Sequence, residues 1–429
     1  MPRELTIERV VPGGAGLARL DGAVTLVNGG LPGDRVLVDP RPDGPRLLRA
    51  DAPAIVAPGP HRRPEDEVCP LAADGRCGGC DWAAARLESH AELKTQLVHD
   101  ALRRIGRTPE AELPAFRFVA SPRKYRLRSR LRWDGGHALG FLGRASSRVA
   151  DVEACEVVTD ALLARLPALR AALAAARAPE CELQLLEGKG GTPVLAELRF
   201  EATPPACGAL ADALLGPLDG VRLVARGRLV AARGSPSLHL EAGGARFRVS
   251  VSSFFQANLH LLDAFLGEAR EAAHEAAGEG VSRGAVDLYA GAGFLTRALL
   301  EAGFETEAVE ADPSSSADLA ANLAAWRGEG LAGRGRAVAS TVEEHLRRSR
   351  EAPDAVFADP PREGLSPSAR KALLRLRPRR LFLVSCDPAT FARDLSALLP
   401  AYRLRTLALL DLFPGTHHVE TLATLARRT

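Results

Sequence analysis

A single cysteine lies where an enzyme could use its thiol as a nucleophile. The apolar run 380–385 has the composition of a buried strand, and Cys386 follows at its end, before Asp387 and Pro388 stop the strand. In open α/β sheets the carboxyl ends of the strands face the ligand crevice, so a thiol placed there meets substrate. The alternative is a buried thiol that fills space, since free cysteine is among the most buried residue types. Taken alone, Cys386 fits this alternative better, so the choice between a nucleophile and a buried thiol depends on the other motifs.

Four other cysteines are spaced as ligands of a metal group would be. Cys69, Cys77 and Cys80 are crowded into a loop in which two glycines separate the last two cysteines, and the next cysteine along the chain is Cys155. Thiolates at the first three positions can surround one compact cluster but need a fourth ligand, which Cys155 can supply. An iron–sulfur cluster is favoured, and zinc would accept the same sulfurs.

The glycine turn at Gly291 and Gly293 predicts a cofactor site. It lies between a predicted strand and a predicted helix, where glycine lets a ligand approach the backbone closely. The next predicted strand ends at Glu310, nineteen residues after Gly291, and a carboxylate there can bind both hydroxyls of a ribose. A dinucleotide-binding turn would need a third glycine at position 296, where the chain has Thr296. S-adenosylmethionine is therefore the better prediction.

Another carboxylate reaches the same edge of the predicted sheet. Asp359 follows the strand 354–358 and precedes two prolines, which hold it on a stiff loop suited to an exposed polar contact. The alternative is a simple strand stop. Because the strand that leads to Cys386 comes next, both side chains are expected at the carboxyl ends of parallel strands.

The segment 123–133 predicts a basic strand. Side chains on a strand alternate between its two faces, so one face is basic and the other apolar. The basic face carries Arg126, Arg128, Arg130 and Arg132. Such a stripe suits an RNA backbone, and the neighbouring Tyr125 could stack a base. The alternative is a solvated strand face, but no acidic residue is interleaved, which favours RNA.

Length and composition limit the class of protein. The chain has 429 residues, 46% hydrophobic and 25% charged, which is typical of a globular protein with two or three domains. Its formal net charge is only +3, so local basic patches would have to bind a nucleic acid. No charged and apolar leader opens the chain and no apolar run has membrane-spanning length, so we expect a cytoplasmic protein without a membrane partner. No obligate protein partner is evident.

Three domains are predicted within the α/β class. Residues 1–57 alternate short apolar segments with turn signals, which is typical of a small β-barrel. Residues 58–249 form a mixed α/β central domain that carries the cysteine loop, and its helix over about 82–105 could pack on the third domain. In residues 250–429 strands and helices alternate, which indicates a doubly wound parallel sheet.

Five motifs together resemble the RNA uracil-5-methyltransferases. They occupy residues 253–258, 287–293, 359–362, 384–388 and 418–421, in the order of that family. The N-terminal phrases 16–22 and 31–36 resemble the TRAM domain, an oligonucleotide-binding-type barrel, and with the cysteines they resemble the iron–sulfur branch of the family. The resemblance implies a C-terminal Rossmann-like domain that methylates carbon 5 of a uridine in structured RNA, with ribosomal RNA preferred over transfer RNA. The target base would be flipped out of its stack.

The resemblance also implies roles for single residues. Cys386 falls on the nucleophile that attacks carbon 6 of uracil, Glu420 on the base that removes the proton from carbon 5, and Phe254 on an aromatic of the base pocket. We expect surroundings that favour the Cys386 thiolate. The S-adenosylmethionine positions are Gln256, Tyr289, Glu310 and Asp359, of which Asp359 is also near the target base. The [4Fe-4S] ligands are Cys69, Cys77, Cys80 and Cys155. The family usually has cysteine at Ala290 and often asparagine at Phe294, which puts the polar contacts of the cofactor pocket in question.

Three other functions compete with this interpretation. An RNA cytosine-5-methyltransferase uses the same thiolate chemistry. A radical S-adenosylmethionine methylthiotransferase also combines a cluster with a TRAM domain, but it needs tightly spaced cysteines, and Cys69 is eight residues from Cys77. A non-catalytic RNA-binding protein is disfavoured because Cys386, Glu420 and Asp359 are all present.

Overall fold

The computed structural model describes residues 2–51, 53–278 and 284–428. Its N-terminal part consists of β1 (Arg3–Thr6), β2 (Arg9–Val10), β3 (Gly16–Leu20), β4 (Ala23–Val27), β5 (Arg35–Val38), β6 (Arg41–Gly44), β7 (Leu47–Ala50) and β8 (Ala54–Ala57). The strands form two sheets, in the orders β1-β5-β8 and β2-β3-β4-β7-β6, and both contribute to one small apolar core. This part is all-β as expected, and its identity as a TRAM barrel stays a prediction.

The middle of the chain forms a seven-stranded sheet and a hairpin. Its elements are α1 (Pro70–Ala73), α2 (His90–Arg104), β9 (Phe116–Val119), β10 (Arg128–Trp133), β11 (Leu139–Leu142), β12 (Val149–Asp151), α3 (Asp160–Ala175), β13 (Cys181–Glu187), β14 (Val194–Phe200), α4 (Cys207–Leu214), β15 (Gly220–Ala225), β16 (Arg228–Gly234), β17 (Ser237–Ala242) and β18 (Ala245–Ser250). The sheet has the order β12-β11-β10-β13-β14-β15-β16, and α3 and α4 contribute to the core on one of its faces. Charged side chains remain on the other face.

The C-terminal part is a doubly wound α/β domain, which confirms the predicted class. It contains α5 (Leu262–Gly278), β19 (Gly284–Leu288), α6 (Phe294–Glu301), β20 (Glu305–Glu310), α7 (Pro313–Trp326), β21 (Gly335–Ala339), α8 (Val342–Arg348), β22 (Ala355–Ala358), α9 (Pro367–Leu376), β23 (Arg380–Ser385), α10 (Pro388–Leu398), β24 (Tyr402–Leu410) and β25 (Glu420–Arg427). The sheet order is β21-β20-β19-β22-β23-β25-β24-β9. The strands from β21 to β23 are parallel and β25 is antiparallel. The strand order reverses beside β19, where ligands bind in such sheets.

Three segments of the predicted central domain pack on the C-terminal domain. The strand β9 pairs in parallel with β24 at the edge of the C-terminal sheet, and the helix α2 packs on α10 through a shared core that includes Val98, Leu102 and Leu395. The hairpin β17–β18 also joins the C-terminal core, through Leu240 and Phe247. The packing of the helix agrees with the expectation for 82–105, whereas the local composition of β9 and of the hairpin does not indicate the distant apolar faces that they contact. No helix in the described ranges is long and apolar enough to cross a bilayer.

Candidate active site and cysteine cluster

Cys386 lies at the carboxyl end of β23. All six residues of that strand are buried because the parallel strands are covered on both faces. The helix α10 begins directly afterwards, since the Asp387 side chain accepts a hydrogen bond from the Thr390 N–H (2.8 Å) and Pro388 is the first helical residue. The thiol is half-buried in this turn between strand and helix.

Glu420 reaches the same place from the neighbouring strand. The last pair of the antiparallel β23–β25 ladder joins Ser385 to Thr421, so the next positions, Cys386 and Glu420, face each other where the ladder ends. Glu420 is buried, with 4% of its surface exposed. A thiol and a carboxyl group therefore meet at the carboxyl edge of the sheet.

The glycine turn and Glu310 are joined directly. The Gly291 N–H donates to Glu310 Oε2 (2.8 Å), and the backbone at Gly291 has a positive φ of 56°. Gly293 acts differently, because its N–H donates to the Ala290 carbonyl (2.8 Å) and a Cβ there would lie 2.9 Å from Leu319. The first glycine thus joins the turn to Glu310, whereas the second allows α6 to pack on α7.

The loop 253–258 closes the other side of this edge. Gln256 is buried and donates to Asp359 Oδ2 at 3.4 Å. Phe254 is 61% exposed, and its ring lies 3.9 Å from the position of a Cβ on Gly291. An exposed aromatic ring, a buried amide and a carboxyl group consequently surround the space between the glycine turn and Cys386.

Tyr289, Ala290 and Phe294 point largely into the core. Tyr289 is half-buried with a φ of 63°, and burial, together with the charges of Glu343 and Asp394, raises its pKa to about 12. Ala290 and Phe294 are buried. The Phe294 ring packs against Phe247, Phe255 and Phe265 at centroid distances of 5.7, 5.5 and 5.4 Å. At position 294 the chain therefore supplies aromatic packing and not a polar contact for a ligand.

The pKa values of the carboxyl groups and of the thiol at this edge are raised. Burial raises the pKa of Asp359 to about 7, and burial together with the charge of Asp359 raises the pKa of Glu420 well above its ordinary value. Burial, with the charge of Glu420, raises the pKa of Cys386 to about 12, against which only Arg362 acts. The expectation of surroundings that favour the thiolate is thus wrong for the surroundings that these residues provide, because desolvation outweighs the charge of Arg362.

Sequence reasoning did not select Arg362 and His418 as site residues. The charge of Arg362 lowers the pKa of both Cys386 and Glu420, so its guanidinium faces this edge. Burial and the charges of His417 and Arg362 lower the pKa of His418 to about 4, and its Nδ1 is buried without a hydrogen-bond partner. Both residues belong to the motifs 359–362 and 418–421, but a motif alone does not show which way a side chain turns.

Thr296 also has a structural explanation. Its hydroxyl donates to Asp287 Oδ2 at 2.5 Å, beneath the glycine turn. Asp287 is fully buried, and burial, together with the nearby charges of Asp359 and Glu310, raises its pKa to about 7. Threonine in place of a third glycine therefore holds a buried carboxyl group at the base of the turn.

The four predicted metal ligands lie together in space. Burial, followed by the charges of Cys155 and Cys77, raises the pKa of Cys80 to about 12, and Cys69 adds to the effect. Two backbone N–H groups donate to the sulfurs of Cys77 and Cys155 at 3.4 Å. In no set of three among these described cysteines do the sulfurs all lie within 4.8 Å of one another.

The arginine stripe is only partly as predicted. Arg128, Arg130 and Arg132 share one face of β10, whereas Arg126 precedes the strand and faces Cys80, whose pKa its charge lowers. Arg128 donates to the carbonyl groups of the 251–253 loop. No acidic residue is interleaved within the segment, but the neighbouring strand β13 supplies an acidic partner.

That partner is Glu182. It lies 3.5 Å from Arg130 and 3.1 Å from Arg132. Tyr125, which was expected to stack a base, is only 1% exposed, and its hydroxyl donates to the Pro414 carbonyl (3.4 Å). The ring is therefore part of the core that joins the central sheet to the C-terminal domain.

Comparisons with known proteins agree with this geometry. A family model described as tRNA (Uracil-5-)-methyltransferase matches residues 344–428. A protein of Aquifex aeolicus described as an uncharacterized RNA methyltransferase is 30% identical over 99% of this chain and 98% of its own length, and one of Thermosynechococcus vestitus with a similar description is 30% identical over 98% and 97%. The structure of Pyrococcus abyssi tRNA (uracil-54, C5)-methyltransferase with S-adenosyl-L-homocysteine superposes with a TM-score of 0.72 at 21% identity, covering 98% of this chain and 100% of that one. The two chains share one fold over their whole length.

Proposed function

The chain belongs to the RNA uracil-5-methyltransferase family, and from this premise we propose that it methylates carbon 5 of a uridine in RNA through a covalent adduct of Cys386 that Glu420 resolves. The observation that supports this most strongly is the register of β23 and β25, which puts Cys386 and Glu420 one position beyond its last pair, where the charge of Glu420 acts on the thiol. A protein that only binds RNA has no need of this pair.

The residues at the sheet edge divide the chemistry among them. Carbon 5 of uracil is a weak nucleophile, so the Cys386 sulfur adds to carbon 6 and pushes electrons toward carbon 5. S-adenosylmethionine, when bound, supplies an electrophilic methyl group for carbon 5. Glu420 then takes the proton from carbon 5, the carbon–sulfur bond breaks, and Cys386 is regenerated. Arg362 favours the thiolate that starts this sequence.

The remaining predicted residues hold the two substrates. Glu310, which accepts the Gly291 N–H, fits a ribose, and the pair of Gln256 and Asp359 offers an amide and a carboxyl group near Cys386. Phe254 is exposed and can stack a base that has left its helix. Arg130 and Arg132 stay candidates for phosphate contacts.

The cysteine group fits a [4Fe-4S] cluster with Cys69, Cys77, Cys80 and Cys155 as ligands. Sulfurs around one zinc ion lie about 3.8 Å apart, as Zn–S bonds of about 2.3 Å in a tetrahedron require. No three of these described sulfurs lie within 4.8 Å of one another, which suits the larger iron–sulfur cluster better than one zinc ion. Such a cluster would tie the 69–80 loop to the segment that carries Cys155.

The substrate class is tested by product analysis. The names of the matching family model and of the Pyrococcus structure refer to transfer RNA, so transfer RNA is the first substrate to try, and ribosomal RNA stays a prediction from the sequence. The enzyme is incubated with each RNA and isotope-labelled S-adenosylmethionine, and the nucleosides are identified by mass spectrometry. We expect labelled 5-methyluridine, and a Cys386→Ala variant should lose at least about a thousandfold in turnover. Labelled 5-methylcytosine, or undiminished turnover of Cys386→Ala beside a Cys207→Ser control, would overturn the proposal.

A further inference from the structure

The turn between β24 and β25 leads directly into Glu420, yet side chains from other parts of the chain hold it in place. We propose that Asp81, which follows the cluster cysteine Cys80, is a positioning residue: through His417 it fixes this turn, residues 411–419, and thereby the position of Glu420. The inference rests on the proposed function of Glu420. It assigns the cysteine loop a role in positioning Glu420, the proposed catalytic base.

Asp81 contacts the turn through both of its carboxylate oxygens. Its Oδ2 lies 2.5 Å from His417 Nδ1, and its Oδ1 accepts the His417 backbone N–H at 3.2 Å. The following residue, Trp82, donates its backbone N–H to the Gly415 carbonyl at 3.0 Å. Two consecutive residues of the cysteine loop thus hold two positions of the turn.

The cluster cysteine itself packs against the turn. Gly415 has a φ of 82°, and a Cβ on it would lie 3.6 Å from the Cys80 sulfur. The N-terminal domain closes the contact from the opposite side: a Cβ on Gly14 would lie 2.1 Å from Asp81 Oδ2, and the Gly14 carbonyl accepts a hydrogen bond from the Trp82 indole (2.9 Å). The pair of Asp81 and His417 is therefore enclosed by three separate parts of the chain.

A buried lysine of α2 also holds this turn in place. Lys94 of α2 donates to Asp411 Oδ1 (2.5 Å), to the Phe413 carbonyl (3.1 Å) and to the His418 carbonyl (2.6 Å). Lys94 thus holds residues of the turn on both sides of His417, and Asp81 is the side chain that holds His417 itself. His417 and Glu420 are separated by two residues, of which Val419 is fully buried, so a displacement of His417 passes on to Glu420.

The experiment compares Asp81→Ala and Asp81→Asn with the control Asp100→Ala. Asp100 pairs with Arg9 at 2.9 Å and also joins α2 to the N-terminal domain, but that ion pair lies outside the turn. If Asp81 positions the base, Asp81→Ala enzyme should accumulate covalent protein–RNA adduct on denaturing gels and lose at least about tenfold in turnover, since a misplacement of about 1 Å can cost roughly a hundredfold. Asp81→Asn keeps an acceptor for the His417 N–H and should restore most of the turnover. Binding of S-adenosylmethionine should stay within about twofold of the wild type, because Asp81 is remote from Gly291 and Glu310 in the contacts described above.

A second measurement does not depend on activity. Hydrogen exchange of the peptide 411–419 should become faster in Asp81→Ala and stay unchanged in Asp100→Ala. Iron and sulfide are measured for each variant, and if Asp81→Ala loses them or fails to fold, His417→Ala tests the same pair without altering the cysteine loop. Wild-type exchange and wild-type adduct levels in both Asp81→Ala and His417→Ala would overturn the inference. A wild-type enzyme that makes no 5-methyluridine would instead overturn the proposed function, and the exchange result would still show whether Asp81 holds the turn.

Discussion

The hydroxyl group of Thr421 donates a hydrogen bond to the carbonyl oxygen of Ser385 (3.0 Å), directly beside the candidate nucleophile and the candidate base. This bond joins β23 to β25 at the last pair of their ladder, so the backbone fixes the distance between Cys386 and Glu420. Replacing either of those two side chains leaves that frame intact. Their variants therefore report on chemistry and not on folding.

Glu420→Gln should stop the reaction after methyl transfer. The amide has nearly the same shape but cannot take the proton from carbon 5, so we expect turnover to fall by about a hundred- to ten-thousandfold. The methylated adduct should persist as a band that is stable on a denaturing gel and carries the isotope label. Glu112→Gln, a change at a half-exposed carboxylate that pairs with Arg428, is the control. Normal product release without a trapped adduct would contradict the assignment of Glu420.

Arg362→Ala should shift the pH dependence of adduct formation. The guanidinium lowers the pKa of Cys386, so its loss raises that pKa further, and a higher pH is needed for the same fraction of thiolate. Single-turnover rates of Arg362→Ala should be lower than those of the wild type from about pH 7 to about pH 9, because both thiols titrate above this range, while Arg362→Lys should lie near the wild type because it keeps the charge. An equal loss in Arg362→Ala and Arg362→Lys, or no loss in either, would mean that the charge of Arg362 does not act on the thiol.

Asp287→Asn should change how stability depends on pH. The folded pKa of Asp287 is raised to about 7, above the value of about 3.9 in an unfolded chain, so the folded state binds the proton more tightly. The stabilisation from this group is complete below about pH 4 and is lost as the pH rises through 7. Between those limits the melting temperature of the wild type should fall relative to that of Asp287→Asn, whose amide can still accept the Thr296 hydroxyl. Parallel curves would contradict the raised pKa.

Cys155→Ser should release the metal group. Anaerobically purified wild-type protein is expected to be brown and to contain iron and acid-labile sulfide, and loss of one thiolate ligand should lower both. Cys207→Ser is the matched control, because its thiol only donates to the Pro204 carbonyl (3.0 Å). Colourless wild-type protein with one zinc ion per chain would overturn the iron–sulfur assignment.

Glu182→Gln should strengthen RNA binding if Arg130 and Arg132 contact phosphates. The change removes the shared anion of both arginines, so more positive charge faces the RNA. The affinity should rise, and Arg130→Ala should reduce the slope of log affinity against log salt by about 1. An unchanged affinity in both variants would show that this face of the sheet is a structural ion-pair network.

Sequence reasoning succeeded where the determining contacts are local. The apolar run before Cys386 and the alternation along 128–133 each reflect how a strand exposes its two faces, and the structure has strands at both places. It failed where the partner is distant. Tyr125 is buried by Pro414, which is 289 positions away, and Glu182 neutralises the arginines across a strand pair. The thiolate expectation for Cys386 failed similarly, because burial is a property of the folded chain.

The edge strand β9 has a consequence for the order of folding. Phe116 pairs with Leu407, so a strand made early in synthesis has no partner until almost three hundred further residues have left the ribosome. Contacts between such distant residues are slow to form, and unpaired strands are exposed to aggregation in the meantime. The sheet that carries Cys386 and Glu420 can be completed only late in translation, which makes this family member a candidate for chaperone dependence that is relieved once β24 is available.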